Sequence, residues 1–245
     1  MVENHTGGQF QRAARDDAEG RPAAPSVRLL SGGDVPRAAA VLAHAFADEP
    51  TKLALFPDSN LRYHLTEAIA RARLRASVPY AAAYVAELDG AIAGVALWHP
   101  PNVKPGGLSV AATFPALLLS GVRVLSLISG AAAALWRDRA LMRTFASARN
   151  AAAKQAGGAP SWYLALLGTD PGHRGRGVAR ALLERTLERC DIEGLPVWLE
   201  TTSDGNVTIY ERFGFDTIAA IGGGAVLPDL WVMRREPRPR SAGPV

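Results

Sequence analysis

Apolar and polar positions fall into blocks along this chain, and after residue 160 the blocks alternate in kind. Residues 162–168 read as an apolar strand, 175–192 as an amphipathic helix, 197–201 as a strand, 206–213 as a short helix, and 215–221 and 225–233 as two further strands. Upstream, residues 27–30 read as a strand. Asp34 and Pro36 then open a helix whose apolar face runs over 38–46. Pro50 and Pro57 interrupt it, and a second helix is expected over 61–77 with Arg71, Arg73 and Arg75 on its wet side. Between the apolar runs 80–88 and 91–99 stands Asp89-Gly90, the two-residue signal of a type I′ hairpin. The pattern predicts an α/β fold, with a mixed, mostly antiparallel central sheet of about six to seven strands flanked by helices.

The stretch from Pro100 to Pro160 is the least regular. It is bounded by Pro-Pro and Gly-Gly and is expected to form a helical insertion, at about 103–158, before the fourth strand. Within it, 115–136 is apolar enough to raise a membrane span. Arg123 inside that run and the charged flank 137–149 favour packed helices instead. Residues 1–25 lack an apolar signal-peptide core and are expected to be a disordered leader. The domain proper is expected at 26–236, with a Pro/Arg-rich tail at 237–245.

Composition narrows the function classes. The chain has 245 residues, 48% of them apolar, which is enough for one sizeable core. Its net charge of +4 is concentrated at the C-terminal end, leaving too little elsewhere for a nucleic-acid footprint. A single cysteine, Cys190, excludes an internal disulfide and fits a cytoplasmic location. The five histidines show no metal-ligand spacing, so no metal is expected.

The stretch that carries chemistry is Thr169-Asp-Pro-Gly-His-Arg-Gly-Arg-Gly-Val-Ala179, a glycine-rich turn joining a buried strand to a helix. Gly175 and Gly177 allow backbone to approach a ligand, and the first helical N–H groups point at whatever lies there. Arg174 and Arg176 add positive charge, so a phosphate-bearing ligand is the natural occupant. A purely structural cap is the bland alternative. A P-loop is excluded because no Gly-Lys-Ser/Thr follows, and a dinucleotide fingerprint because Arg180 stands where a glycine is needed.

Arg174-Gly-Arg-Gly-Val-Ala179 resembles the Arg/Gln-x-x-Gly-x-Gly/Ala signature of the GNAT superfamily of N-acetyltransferases. The likeness continues in Leu199-Glu-Thr-Thr and Tyr210-Glu-Arg-Phe-Gly-Phe215, in the superfamily's order. Val27-Arg-Leu, Asp34-Val-Pro-Arg, Ala45-Phe-Ala-Asp and Trp162-Tyr-Leu-Ala are similar to the puromycin N-acetyltransferase-like subgroup. The likeness covers about residues 26–236. Residues 103–158 depart from that subgroup by being longer and more apolar, which leaves the acceptor open.

The resemblance implies a GNAT fold and direct acetyl transfer from acetyl-CoA to an amine, with no acyl-enzyme. It places the coenzyme on Leu167, Gly168, Thr169, Arg174, Gly175, Arg176, Gly177, Val178, Ala179, Asn206 and Tyr210. Leu167 then matches the donor to the acetyl oxygen, and Tyr210 the group beside the departing sulfur. Glu200 is the first candidate to take the ammonium's proton, with Glu49 and Glu87 behind it. For all three, a solvated carboxylate is the alternative. Asn206 either caps its short helix or reaches the pantetheine arm. His99 reads as structural or exposed near the acceptor entrance, and Cys190 as a buried small hydrophobe.

The expected acceptor is a primary amine of a small molecule, with a protein or peptide amine, or a noncatalytic acyl-CoA sensor, as the alternatives. Neither nucleic acid nor membrane is expected as a partner. The resemblance leaves a homodimer open.

Overall fold

A computed structural model describes residues 23–101, 160–224 and 228–238. The expectations for the leader up to residue 22, the insertion at 103–158 with its apolar run, and the tail from 239 fall outside the described residues.

Seven strands form one sheet in the order β1-β2-β3-β4-β5-β7-β6. They are β1 (Ser26–Leu29), β2 (Ala83–Leu88), β3 (Ala91–His99), β4 (Trp162–Thr169), β5 (Val197–Thr201), β6 (Asp216–Ile221) and β7 (Leu230–Arg235). Every neighbouring pair is antiparallel except β4 and β5. The hairpin between β2 and β3 is the one that its turn residues demand. Asp89 and Gly90 both have positive φ, 54° and 77°, as a type I′ turn requires.

Helices cover both faces. α1 (Val35–Ala45) and α3 (Ser59–Ser77) pack on one, and α4 (Val178–Glu193) packs on the other. Strand β2 shows why its sequence reads as an unbroken apolar run. Ala83 and Val85 enter the core beneath α1 and α3, while Tyr84, Ala86 and Leu88 enter the core beneath α4. At the far end, Arg235 of β7 is buried and makes a bidentate pair with Asp191 of α4, at 2.7 Å for both bonds. It also donates to Phe213 O at 3.0 Å, so a single guanidinium ties helix, loop and sheet together.

Four expectations need correction. Pro50 does not simply interrupt: it is the first residue of a short helix, α2 (Pro50–Leu55), where its missing N–H costs nothing. Asp34 does not cap α1 with its side chain. Its carboxylate accepts instead from Arg28, at 2.6 and 2.9 Å, and from Ser31 N and Oγ. Arg73 does not lie on the wet side of α3 with Arg71 and Arg75. Its Nε is buried.

The helix after the glycine turn starts at Val178, three residues later than expected, because Gly175 and Gly177 take left-handed conformations. A further helix, α5 (Asp204–Glu211), follows β5. Arg62 of α3 is buried and donates to Ala47 O, Phe56 O and Pro57 O at 2.7–3.0 Å. These bonds satisfy carbonyls that neither α1 nor α2 uses, and they fix the loop that carries α2 against the sheet.

Candidate active site

The parallel pair is short. β4 and β5 are in register only over Trp162, Tyr163 and Leu164 against Val197, Trp198 and Leu199. Beyond Leu164, β4 continues paired with β3 as far as Thr169 opposite Gly94, but it has lost its neighbour on the other side. The two strands therefore split. A cleft of about 280 Å³ opens in the split, lined by residues of β4 from Tyr163 to Leu167, by Leu199 and Glu200 of β5, by Thr201 to Ser203, and by Asn206, Tyr210, Phe46, Glu49 and Lys52.

The edge of β4 that faces this cleft carries unpaired backbone donors. Asp170 N–H bonds to Ala93 O on β3 at 2.9 Å. Alternation along a strand then turns the N–H groups of Leu167 and Thr169 the other way, towards the split. At Gly168 a Cβ would meet Leu42 Cδ2 at 2.8 Å and Ala45 Cβ at 2.9 Å, so the missing side chain seats α1 on β4.

Gly175 and Gly177 lie on the surface with φ of 76° and 80°. A Cβ at either would meet nothing within 4 Å, so φ and not crowding selects glycine there, and the loop faces open space. Gly177 occupies the N-cap of α4 and offers no side chain to cap it. The first intrahelical bond runs from Ala181 N–H to Gly177 O, which leaves the N–H groups of Val178, Ala179 and Arg180 directed outwards. An open loop of left-handed glycines ahead of an uncapped helix fits a diphosphate. The two arginines are more engaged than expected. Arg176 pairs with Asp89 of the hairpin at 2.6 Å, and Arg174 donates to Ala45 O at 3.2 Å.

Tyr210 is 8% exposed on α5, edge-on to Phe215, and lines the cleft. Burial alone raises its phenol well above the ordinary value, so it is protonated at neutral pH and available as a donor. Glu200 shares the cleft with it. Asn206 does not cap α5. Ser203 holds the N-cap position, and Asn206 Nδ2 donates to Thr201 Oγ1 at 3.4 Å.

The weaker carboxylate candidates separate. Glu49 lines the cleft, but as the N-cap of α2 it accepts from Thr51 N and Lys52 N, and also from Thr202 Oγ1 at 2.5 Å. Glu87 sits at the other side of the sheet, paired with Arg28 at 2.6 Å, and does not reach the cleft.

Sequence spacing missed Lys52, Tyr163 and the Thr201–Thr202–Ser203 turn. Lys52 Nζ lies 3.9 Å over the Phe46 ring, and burial brings its ammonium down to about 8, against the pull of Glu49. Tyr163 stacks on Trp198 at 4.1 Å. Among the described residues, no group of three or more His, Cys, Asp or Glu could hold a metal ion, and no helix is long and apolar enough to cross a membrane.

Comparison with known proteins agrees with this geometry. The model of the acetyltransferase (GNAT) family matches residues 128–215. Over 84 residues the chain is 39% identical to an uncharacterized N-acetyltransferase of Schizosaccharomyces pombe. That match takes in 33% of this chain and 34% of that protein, so the chain spans about a third of its length.

The fold is similar to a Corynebacterium glutamicum crystal structure described as histone acetyltransferase HPA2 and related acetyltransferase. The identity is 23% and the TM-score 0.54, over 89% of this chain and 99% of that one. It is also similar to mosquito arylalkylamine N-acetyltransferase like 5b, at 13% identity and a TM-score of 0.53, over 87% and 100% of the two chains. Family match and fold together support the GNAT superfamily.

Proposed function

We propose that this chain transfers the acetyl group of acetyl-CoA to the primary amine of a small molecule, by direct attack while both are bound, in the manner of the puromycin N-acetyltransferase-like subgroup. The observation that carries the reading is the split between β4 and β5. A row of unpaired N–H groups, a buried phenol and a carboxylate share one cleft, and β4 runs on from it to the glycine turn that opens α4.

Each residue then has a task. The outward N–H groups of Val178, Ala179 and Arg180 at the end of the glycine turn hold the diphosphate, helped by Arg174 and Arg176. The pantetheine arm lies along the free edge of β4, near Thr169 and Asn206, and supplies the acceptors that β5 no longer provides. Leu167 N–H donates to the acetyl oxygen, and a preorganised donor of this kind is worth about 3 kcal/mol of barrier.

The amine arrives as ammonium and loses a proton to Glu200, directly or through water. Its nitrogen then forms the bond to the carbonyl carbon as the C–S bond breaks, the second proton on that nitrogen passes to water to leave the neutral amide, and Tyr210 gives its proton to the departing thiolate. Burial makes the Tyr210 phenolate costly and so opposes this transfer; the proton moves only as the thiolate charge develops beside the hydroxyl. Solvent restores the Tyr210 proton after release.

The test is coenzyme A release from acetyl-CoA on a panel of amines and peptides. Tyr210→Phe is expected to lower kcat at saturating substrates about 10²-fold with donor affinity kept, and Glu200→Gln to flatten the rise of rate with pH. An unchanged kcat in Tyr210→Phe removes its role. Donor binding without turnover on any amine or peptide makes the chain a sensor and not an enzyme.

A further inference from the structure

Three basic side chains come from three elements, and Lys52 and His99 both lie within electrostatic reach of Arg73 beside the cleft. Lys52 of α2 lines it. Arg73 projects from α3, and its charge bears on Lys52, on His99 and on Tyr163. His99 ends β3 opposite Tyr163, with the two rings edge-on at 5.4 Å between centroids, and Tyr163 lines the cleft. His99 is 5% exposed, and both of its ring nitrogens, like Arg73 Nε, are buried with no hydrogen-bond partner among the described residues.

Buried polar atoms are nearly always paired, so these three orphaned nitrogens call for a ligand that brings acceptors. Among the described residues countercharge is short here. Glu49 is the acid that bears on Lys52, and its carboxylate already serves the amides of Thr51 and Lys52 and the hydroxyl of Thr202.

We propose that Lys52, Arg73 and His99 form an anion pocket at the acceptor end of the cleft, so that the amine acetylated here carries a carboxylate or a phosphate at its far end. This rests on the acetyltransferase reading above. A guanidinium presents paired donors that match either anion, an ammonium adds a point charge, and an imidazole contributes one N–H. The acid group held there leaves the other end of the molecule to face Glu200 and the acetyl carbon, which describes a short ω-amino acid or amino phosphate.

The test compares matched amines on the full chain at saturating acetyl-CoA: 4-aminobutyrate against butylamine, and phosphoethanolamine against ethanolamine. At least one acidic member is expected to show a kcat/KM about tenfold or more above its neutral match, carried by KM. Arg73→Met is expected to erase that preference and leave butylamine turnover within about twofold of the parent, while Arg73→Lys recovers part of it.

Whichever pair shows the preference tells carboxylate from phosphate. Equal efficiency on acidic and neutral members, or a preference that survives Arg73→Met, overturns the pocket. Should Arg73→Met fail to fold, the comparison on the parent protein decides alone. Turnover of none of the four amines also overturns the pocket. Calorimetric titration of acetyl-CoA into the same sample reports separately on the transferase reading, which falls if no donor is taken up.

Discussion

Cys190 lies on the inner face of α4, fully buried, and burial pushes its thiol up to about 12. At pH 8 only about one such thiol in 10⁴ is ionised, and the thiolate is the reactive form. The native protein should therefore leave a disulfide reagent such as Ellman's unreacted and yield one equivalent only after denaturation. Coenzyme A release can then be read with that reagent free of background.

His99 is perturbed in the opposite sense. Burial, with Arg73 adding to it, brings its imidazole down to about 4 from an ordinary 6.5. Between those two values the unfolded chain binds a proton that the folded chain refuses. Stability is therefore whole above about 6.5 and falls as pH drops through the window, by about 2 kcal/mol between pH 7 and 5. Denaturant melts at the two pH values should show that loss in the parent and a smaller one in His99→Gln.

At the scale of elements, α1 seats closely on β4 because Gly168 has no side chain. Gly168→Ala drives a methyl into Leu42 and Ala45 and is expected to cost about 1–3 kcal/mol. The same shift displaces Ala45 O, the acceptor of Arg174, so acetyl-CoA affinity measured by calorimetry should fall along with the melting temperature. A variant with both unchanged would mean that α1 moves freely.

These elements also show what the sequence made legible. The β2–β3 hairpin could be read from Asp89-Gly90 because few turns accept two positive φ values in succession, and the strand–helix alternation after residue 160 followed from the change of period. Helix α2 was hidden because proline as a first residue looks the same as proline as a break, and its N-cap, Glu49, is not among the usual capping residues. The glycine turn, Tyr210 and Glu200 stood out through a local motif. Lys52, Arg73 and His99 did not, since they come from three elements and no spacing along the chain records their meeting. Arg73 in particular looks like its exposed neighbours Arg71 and Arg75 until the sheet that β3 and β4 build beneath α3 is in view.

Across the whole molecule, two halves of the sheet meet at β4 and β5. β3 and β4 share six partnered positions, whereas β4 and β5 share three. Behind that short junction, Asp191 and Arg235 fasten α4 to β7, so the second half is held by its helix as much as by its strands. A thioester donor lying in the split would act as a surrogate strand, completing rungs that the polypeptide leaves out. Its binding should therefore weld the halves as well as prepare the reaction: at a hundred times its Kd it adds about 2.7 kcal/mol to stability. Calorimetric melts should move upward with donor concentration, and hydrogen exchange should slow first at the amides of Leu167 and Thr169, which makes the donor part of the protein's architecture for as long as it stays.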